Sequence, residues 1–524
     1  MKVWQADLGS EYKNPILYGD YSDPDVIRVG EDFYMIASSF TDVPGVPVLH
    51  SKDLVNWELI GYCVKRLPFE RYDRPVHGCG TWAPSLRYHD GRFYAFIPMP
   101  DEGIFVATAE DPAGEWTPLR CVKEARGWID PCPLWDDDGR AYMAFAYANS
   151  RCGIKHKLSM VEIDPVTCEV IGEPVLVFDG TLSAPTVEGP KLYKRNGWYY
   201  IFAPAGGVPT GWQLALRSRS ICGPYEARIV LHQGDTPFNG PHQGGWVELE
   251  DGRCFFIHFQ DVGPMGRIIH LQPMCWQADW PFIGLEQNGD GVGEPVERWA
   301  KPIPGMEKAC PGIVQDDDFT GDRLALHWQF QCNPNPAWYD CAARDDALRL
   351  YCVSNPDHEG NPLWFAGNAL TQIPQAPDFD VELTLVLHPE REGDMAGLGV
   401  IGHRYGYLAI ARQNGQPVLQ LVEGAVEHNA MMGMVEGVAR ETALESLPVG
   451  DWRCRLRMKI RGGNRVGFAW VGEDGSLTDI GPELPVAEGT WTGFKVAIFA
   501  LNGDNARSKG FADMEAIRFT PPAD

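Results

Sequence analysis

The sequence predicts an all-β protein, a five-bladed β-propeller followed by an antiparallel β-sandwich. Three observations carry this. A strand–turn–strand pattern recurs five times ahead of residue 284. A stretch rich in Gly, Pro and charge, without periodicity, covers 284–314 and reads as a linker. From Asp316 onward the pattern changes to long period-2 strands, and no helix of length is predicted anywhere.

The repeat is clearest from Asp130 to Met143: an acid and a proline, an apolar strand, an acidic turn ending in Gly139, then a second apolar strand. The same plan starts at Asp23, Ala83, Glu188 and His242, so successive starts lie 60, 47, 58 and 54 residues apart. Each copy reads as a β-hairpin whose Gly supplies the positive φ of a tight turn. A hairpin recurring at roughly 50 residues is the signature of one four-stranded blade per repeat. Outer-strand pieces recur as well, at Ser51–Trp57, at Ala109–Trp116 and at Ser218–Tyr225.

The first strand of a propeller blade lies innermost, so equivalent positions of different blades converge on the axis. Here they hold Asp23, Ala83, Asp130, Glu188 and His242, three carboxylates and an imidazole around one mouth. Gathering ionisable groups costs free energy unless they are paired or solvated, and such clusters concentrate at functional sites. Taken singly, each Asp-Pro or Glu-Gly is a turn residue capping a strand; in phase across five repeats they read as a site. Trp82 precedes an axial position and could wall the pocket, as could Phe40, although a lone aromatic more often fills a core.

The composition narrows the partners. The net charge of -26 and the pI near 4.9 argue against nucleic acid or an anionic membrane surface, and a neutral substrate fits them. Eighteen Trp and 18 Tyr suit stacking on sugar rings, though most belong to sheet cores. Fourteen Cys are scattered with no C-x-x-C pair, which fits a reducing compartment and supports no zinc ribbon. The N-terminal stretch has no apolar core of signal-peptide length, and no run of about 18 apolar residues follows. The expectation is a soluble, cytoplasmic protein, with a homo-oligomer left open; a signal peptide already removed would leave the same appearance. The domains are expected at 1–305 and 315–524, joined by 306–314.

In the second domain, Val381, Leu383, Leu385 and Leu387 alternate with Glu382, Thr384, Val386 and His388. Trp452, Cys454, Leu456, Met458 and Ile460 alternate with Arg453, Arg455, Arg457, Lys459 and Arg461, a strand with one basic face, either solvated or set against the first domain. Further strands are expected near 398–402, 406–412, 417–422, 465–471, 493–500 and 513–519. About 200 residues of such strands form an antiparallel sandwich.

Asn14-Pro15-Ile16-Leu17 with Gly19-Asp20-Tyr21-Ser22-Asp23-Pro24-Asp25-Val26 resembles the opening of family 43 glycoside hydrolases. Trp82–Leu86, Trp128–Pro131, Val187–Pro190, His242–Trp246 and Gly266–Gln272 extend the resemblance over nearly all of 12–280. Asp316–Phe319, Trp328–Phe330 and Asn335-Pro336 resemble the C-terminal concanavalin A-like jelly roll of its β-xylosidases and α-L-arabinofuranosidases. The resemblance implies an inverting mechanism, with Asp23 as general base, Glu188 as general acid and Asp130 orienting the acid and raising its pKa. It implies that Arg267 binds a sugar hydroxyl near the acid, that His242 lies beneath the sugar, alone or beside a hydrated calcium ion, and that Asp318 and Asp513 hold a structural calcium. No organic cofactor is implied. Ser22 stands where the family usually has Pro, and Cys132 follows a variable position.

The chemistry needs three carboxylates of this kind, while which carboxylate takes which role rests on the resemblance. Inverting hydrolysis needs an ionised carboxylate to activate water and a protonated one to donate, roughly 6.5–9.5 Å apart. Their proton affinities must be driven apart, which a third carboxylate does. The reading is an exo-acting hydrolase releasing terminal pentose from xylan-type oligosaccharides. An endo-arabinanase is disfavoured by the second domain, from which a loop closes the cleft in related enzymes. A non-catalytic sugar-binding propeller is disfavoured because a lectin needs no separated acid and base.

Overall fold

The structure, a computed structural model, describes residues 4–306, 310, 312–427 and 438–522. Part of the expected linker, 307–309 and 311, lies outside the described residues, as do residues 1–3 of the N-terminal stretch. The first domain is a five-bladed propeller, each blade a four-stranded antiparallel sheet built from consecutive strands. The innermost strands are Asp25–Val29, Ser85–His89, Trp128–Trp135, Lys191–Arg195 and His242–Glu248, each starting at or beside its predicted opening residue. The hairpins form for the reason the sequence suggests. Asp90-Gly91 and Asn196-Gly197 each place two successive residues at positive φ (45° and 77°, 51° and 71°). Two-residue turns of that shape match the twist of the strands they join.

The ring closes without sharing a blade between the chain ends. The Asn14 side chain spans the seam, its Nδ2 donating to the carbonyls of Leu271 (2.8 Å) and Val296 (2.9 Å) and its Oδ1 accepting from the Leu271 amide (2.8 Å). The stretch read as plain linker also contributes a strand, Arg298–Ala300, paired antiparallel with Glu11–Lys13. Period-2 patterning is illegible in a strand three residues long, which is why the sequence hid it.

Below the mouth, a second acid of the first repeat ties blades together. Asp25 is fully buried; its Oδ2 accepts from the Leu86 amide and from Arg87 Nη1, each at 2.8 Å, and lies 3.8 Å from Lys191 Nζ. One carboxylate thus anchors the first, second and fourth blades. Asp25→Ala leaves buried cations unpaired and is expected to destabilise the propeller by about 3–5 kcal/mol. Denaturant unfolding checks this, and a loss under about 1 kcal/mol would mean that the blades hold without the bridge.

The second domain is a sandwich of a seven-stranded and an eight-stranded sheet, concanavalin A-like in layout. The strand Phe379–His388 buries Val381, Leu383, Leu385 and Leu387 against Leu398, Val400 and Ile498 of the facing sheet. The basic strand runs Arg453–Arg461 as expected, with Cys454, Leu456, Met458 and Ile460 inward. Its cations are partly solvated and pair with acids of the same sheet. Arg457 pairs with Glu382 (3.0 Å) and Arg461 with Asp380 (2.8 Å) on the adjacent strand Phe379–His388, and Lys459 with Asp479 (2.6 Å) two strands away. Exposed pairs of this kind add little stability.

The domains dock through main chain and buried side chains. Val43 and Phe330 exchange backbone hydrogen bonds of 2.9 and 2.8 Å, and His77 stacks on Trp364 at 3.8 Å between ring centres. All fourteen cysteines are free thiols, and among the described residues no helix is long and apolar enough to cross a membrane.

Candidate active site

The innermost strands bring the predicted carboxylates to one end of the axis, and the backbone is bent to aim them. Asp23 and Asp130 have φ of 55° and 56°, left-handed values that only a few non-glycine residues adopt. At Asp130 the pairing register shifts between Ile129 and Cys132, a bulge where Pro131 has no N–H to donate. A second bulge, between His242 and Gly244, leaves Gln243 at φ 37°. Strain of this kind costs about 1–3 kcal/mol per residue and collects where function requires it.

Asp23 is held from two sides. Ser38 Oγ donates to its Oδ2 at 2.6 Å, and Arg267 Nη1 reaches Oδ1 at 3.1 Å and Oδ2 at 3.2 Å. Arg267 was expected to bind a sugar hydroxyl near the acid; in the structure its guanidinium pairs with Asp23. Glu188 is partly open, with 28% of its side chain exposed, as befits a group that must reach a substrate. Its Oε1 lies 3.1 Å from Nε2 of the buried His242. Gly189, at φ 57°, turns its amide toward Asp130 and donates to Oδ2 at 2.7 Å. A Cβ at Gly189 would meet Gln243 Cδ at 2.8 Å, so this position needs glycine for space as well as for φ.

Burial pushes the Asp130 carboxyl well above the usual carboxylate range, and the charges of Glu188 and then Asp23 push it further, against the Gly189 amide and Lys191. Asp130 is almost fully buried, and desolvation is the largest cause of this raise. The negative charge of Glu188 comes next and favours the protonated form of Asp130.

Trp82 is locked in place. Its indole N–H donates to the Gly78 carbonyl at 3.1 Å, the Arg151 guanidinium covers one face at 5.0 Å, and the Phe40 ring lies edge-on at 6.4 Å. A third aromatic, Trp491, comes from the sandwich and meets Trp82 at 6.1 Å. It occupies the loop Gly489-Thr490-Trp491-Thr492-Gly493, is 43% exposed and has φ 67°. Sequence reasoning left that loop unnamed; a tryptophan between two glycines just ahead of a buried strand was the available signal. Ser38 was also missed, and nothing in its neighbours marks it.

At the axis His242 offers one nitrogen, Nδ1, since Nε2 is engaged by Glu188, so water would have to supply the oxygens of a hydrated calcium ion there. In the sandwich, Asp513 takes Arg349 Nε at 2.8 Å and Nη2 at 3.1 Å, and Asp318 pairs with Arg518. The two carboxylates are thus paired with separate guanidinium groups. Among the described residues, the ligating side chains close enough to one another are His50, Glu58 and Cys310, none of them axial. Both nitrogens of His50 are already taken, by Glu58 at 2.9 Å and Asp32 at 2.6 Å. A cavity of about 350 Å³ lined by Trp4, Tyr18, Trp57 and Gln315 opens between the domains and includes none of the carboxylates of the mouth.

Comparison with known proteins agrees with the geometry. A Xylanibacter ruminicola relative is 45% identical over 372 residues, 71% of this chain and 67% of its own. A β-xylosidase of Formosa agariphila is 28% identical over 98% of this chain and 90% of its own. A non-reducing end α-L-arabinofuranosidase of Bacteroides ovatus is 32% identical over 66% of this chain and 67% of its own. Among solved structures, GH43B of a Bacteroides ovatus xyloglucan PUL superposes with a TM-score of 0.80 at 26% identity, over 98% of this chain and all of that one. The model of the β-xylosidase C-terminal concanavalin A-like domain matches residues 316–520. The model of glycosyl hydrolases family 43 matches residues 12–281, the whole propeller that presents Asp23, Asp130 and Glu188, and the chain belongs to that family.

Proposed function

We propose that this glycoside hydrolase is exo-acting and inverting, and that it releases terminal pentose from xylan-type oligosaccharides as a β-xylosidase, an α-L-arabinofuranosidase or both. The observation that carries the reading is the division of three carboxylates into two environments. Asp23 accepts hydrogen bonds from a guanidinium and a hydroxyl, which fix the carboxyl that acts as general base. Asp130 is buried beside Glu188, and its carboxyl favours the protonated form. A sugar held between them meets water activated by Asp23 on one face and the Glu188 proton at the leaving oxygen on the other. His242 Nε2 orients the Glu188 carboxyl. Loss of the leaving group and attack of water occur together, and the Glu188 proton ends on the departing alcohol.

The Trp491 loop supports the exo reading, because it lies against Trp82 at one side of the mouth, where an endo-acting cleft would run on. The activities named for the relatives support pentose as the sugar. NMR of the first product from aryl β-xyloside and aryl α-L-arabinofuranoside tests both parts. Inverted anomeric configuration on at least one substrate is expected, and retained configuration would reject the mechanism.

A further inference from the structure

A buried carboxylate that the mechanism does not use lies between the catalytic base and the second domain. Asp20 is buried and receives three hydrogen bonds, each from a different part of the protein. Ser22 Oγ, one residue before the base, donates to Oδ1 at 2.9 Å. The Arg267 amide donates to the same oxygen at 2.9 Å. The Gly493 amide, at the end of the sandwich loop that carries Trp491, donates to Oδ2 at 2.8 Å.

The approach is close enough to require glycine on both sides. A Cβ at Gly266 (φ 77°) would meet Asp20 Cγ and the Gly493 nitrogen, each at 2.6 Å. A Cβ at Gly493 would meet the Met265 carbonyl carbon and oxygen, each at 2.6 Å. The loop is also pinned at its far side, where the Phe494 amide donates to the Pro264 carbonyl at 2.8 Å and Lys495 pairs with Asp42. The main chain from Pro264 to Arg267 is therefore clamped between the sandwich loop and Asp20, and the side chain it delivers is the one on both oxygens of Asp23.

We propose that Asp20 is a positioning residue that couples the docked sandwich loop to the catalytic base, by joining the Gly493 amide to the main chain of Arg267. The proposal rests on the reading of Asp23 as the base. It assigns the second domain a part in the chemical step beyond walling the sugar pocket. Loss of the Gly493 donor leaves one oxygen of a buried carboxylate without its partner, so Asp20 shifts and Arg267 shifts with it. Small misplacements near a reacting group cost up to about 10²-fold in rate.

The test uses full-length Gly493→Ala, Asp20→Asn and the double variant, with kcat and KM measured on the better aryl glycoside and thermal melts as controls. Gly493→Ala acts from the sandwich side, substitutes no propeller residue, and pushes the loop off the Met265 main chain. Both single variants are expected to lower kcat by about 10–100-fold. The double variant is expected to be no worse than the poorer single, because both cut one link. A change confined to KM in Gly493→Ala would overturn the coupling, as would losses that multiply in the double variant. If Asp20→Asn melts below the assay temperature, the kcat of Gly493→Ala alone decides. Full turnover in Asp23→Ala would reject the base assignment and leave the non-additivity of the pair standing, so the two failures are distinguishable.

Discussion

Asp23→Ala and Glu188→Ala are expected to lower kcat by about 10²–10⁴-fold each on a natural xylo-oligosaccharide, with the fold retained. The two losses should differ in kind. Asp23 makes the nucleophilic water, so its removal hurts every substrate. Glu188 donates to the leaving oxygen, so its removal matters least when the leaving group is already acidic. On a dinitrophenyl glycoside, Glu188→Ala should recover most of its rate while Asp23→Ala should not. The geometry predicts a further difference. Removal of the Asp23 carboxylate leaves the buried Arg267 without its nearest anion, whereas Glu188 is partly open and has only His242 to lose. Asp23→Ala should therefore also lower the melting temperature, and Asp23→Asn should restore part of that stability without activity. Equal losses on good and poor leaving groups for Glu188→Ala would remove it as the acid. Wild-type turnover in Asp23→Ala would remove the base.

The repeat phase carried most of this site into view. Asp23, Asp130, Glu188 and His242 were legible because the innermost strands repeat one pattern, and equivalent positions must converge whatever the details of each blade. The alternation of 453–461 likewise gave a strand with the observed ends. What sequence alone could not give was the partner of each charge. Arg267 was legible as a site residue, but its attachment to Asp23 arises from the fold bringing together positions 244 residues apart. The basic strand could not announce its acids, because Glu382, Asp380 and Asp479 lie on other strands of the sheet, whose order only the fold defines. For the same reason nothing local shows that an arginine pairs with each of Asp318 and Asp513. The loop with Trp491 was hidden by distance, joining Trp82 across more than four hundred residues.

Asp130→Asn is expected to lower kcat by about 10²-fold and to move the alkaline limb of the pH–rate profile to lower pH. In the folded protein Asp130 holds its proton above the usual carboxylate range, first through burial, then through the charges of Glu188 and Asp23. Activity requires a proton for the leaving group, so it falls at the alkaline end of the profile as that proton is lost. Asparagine keeps the shape and removes the second negative charge, so the proton left on Glu188 no longer gains from like-charge repulsion and departs at lower pH. Stability should respond with the opposite benefit. A carboxyl whose folded pKa is raised loses stability as pH rises through that value, since the ionised form is buried at a cost. Asparagine cannot ionise, so Asp130→Asn should gain stability relative to the native chain on the alkaline side. Its Oδ1 can still accept from the Gly189 amide, which keeps the turn at Glu188 in place. Melts across pH and a pH–rate profile on one substrate read both effects. An alkaline limb that stays in place, with kcat reduced, would mean that Asp130 orients Glu188 through the Gly189 turn without sharing its proton.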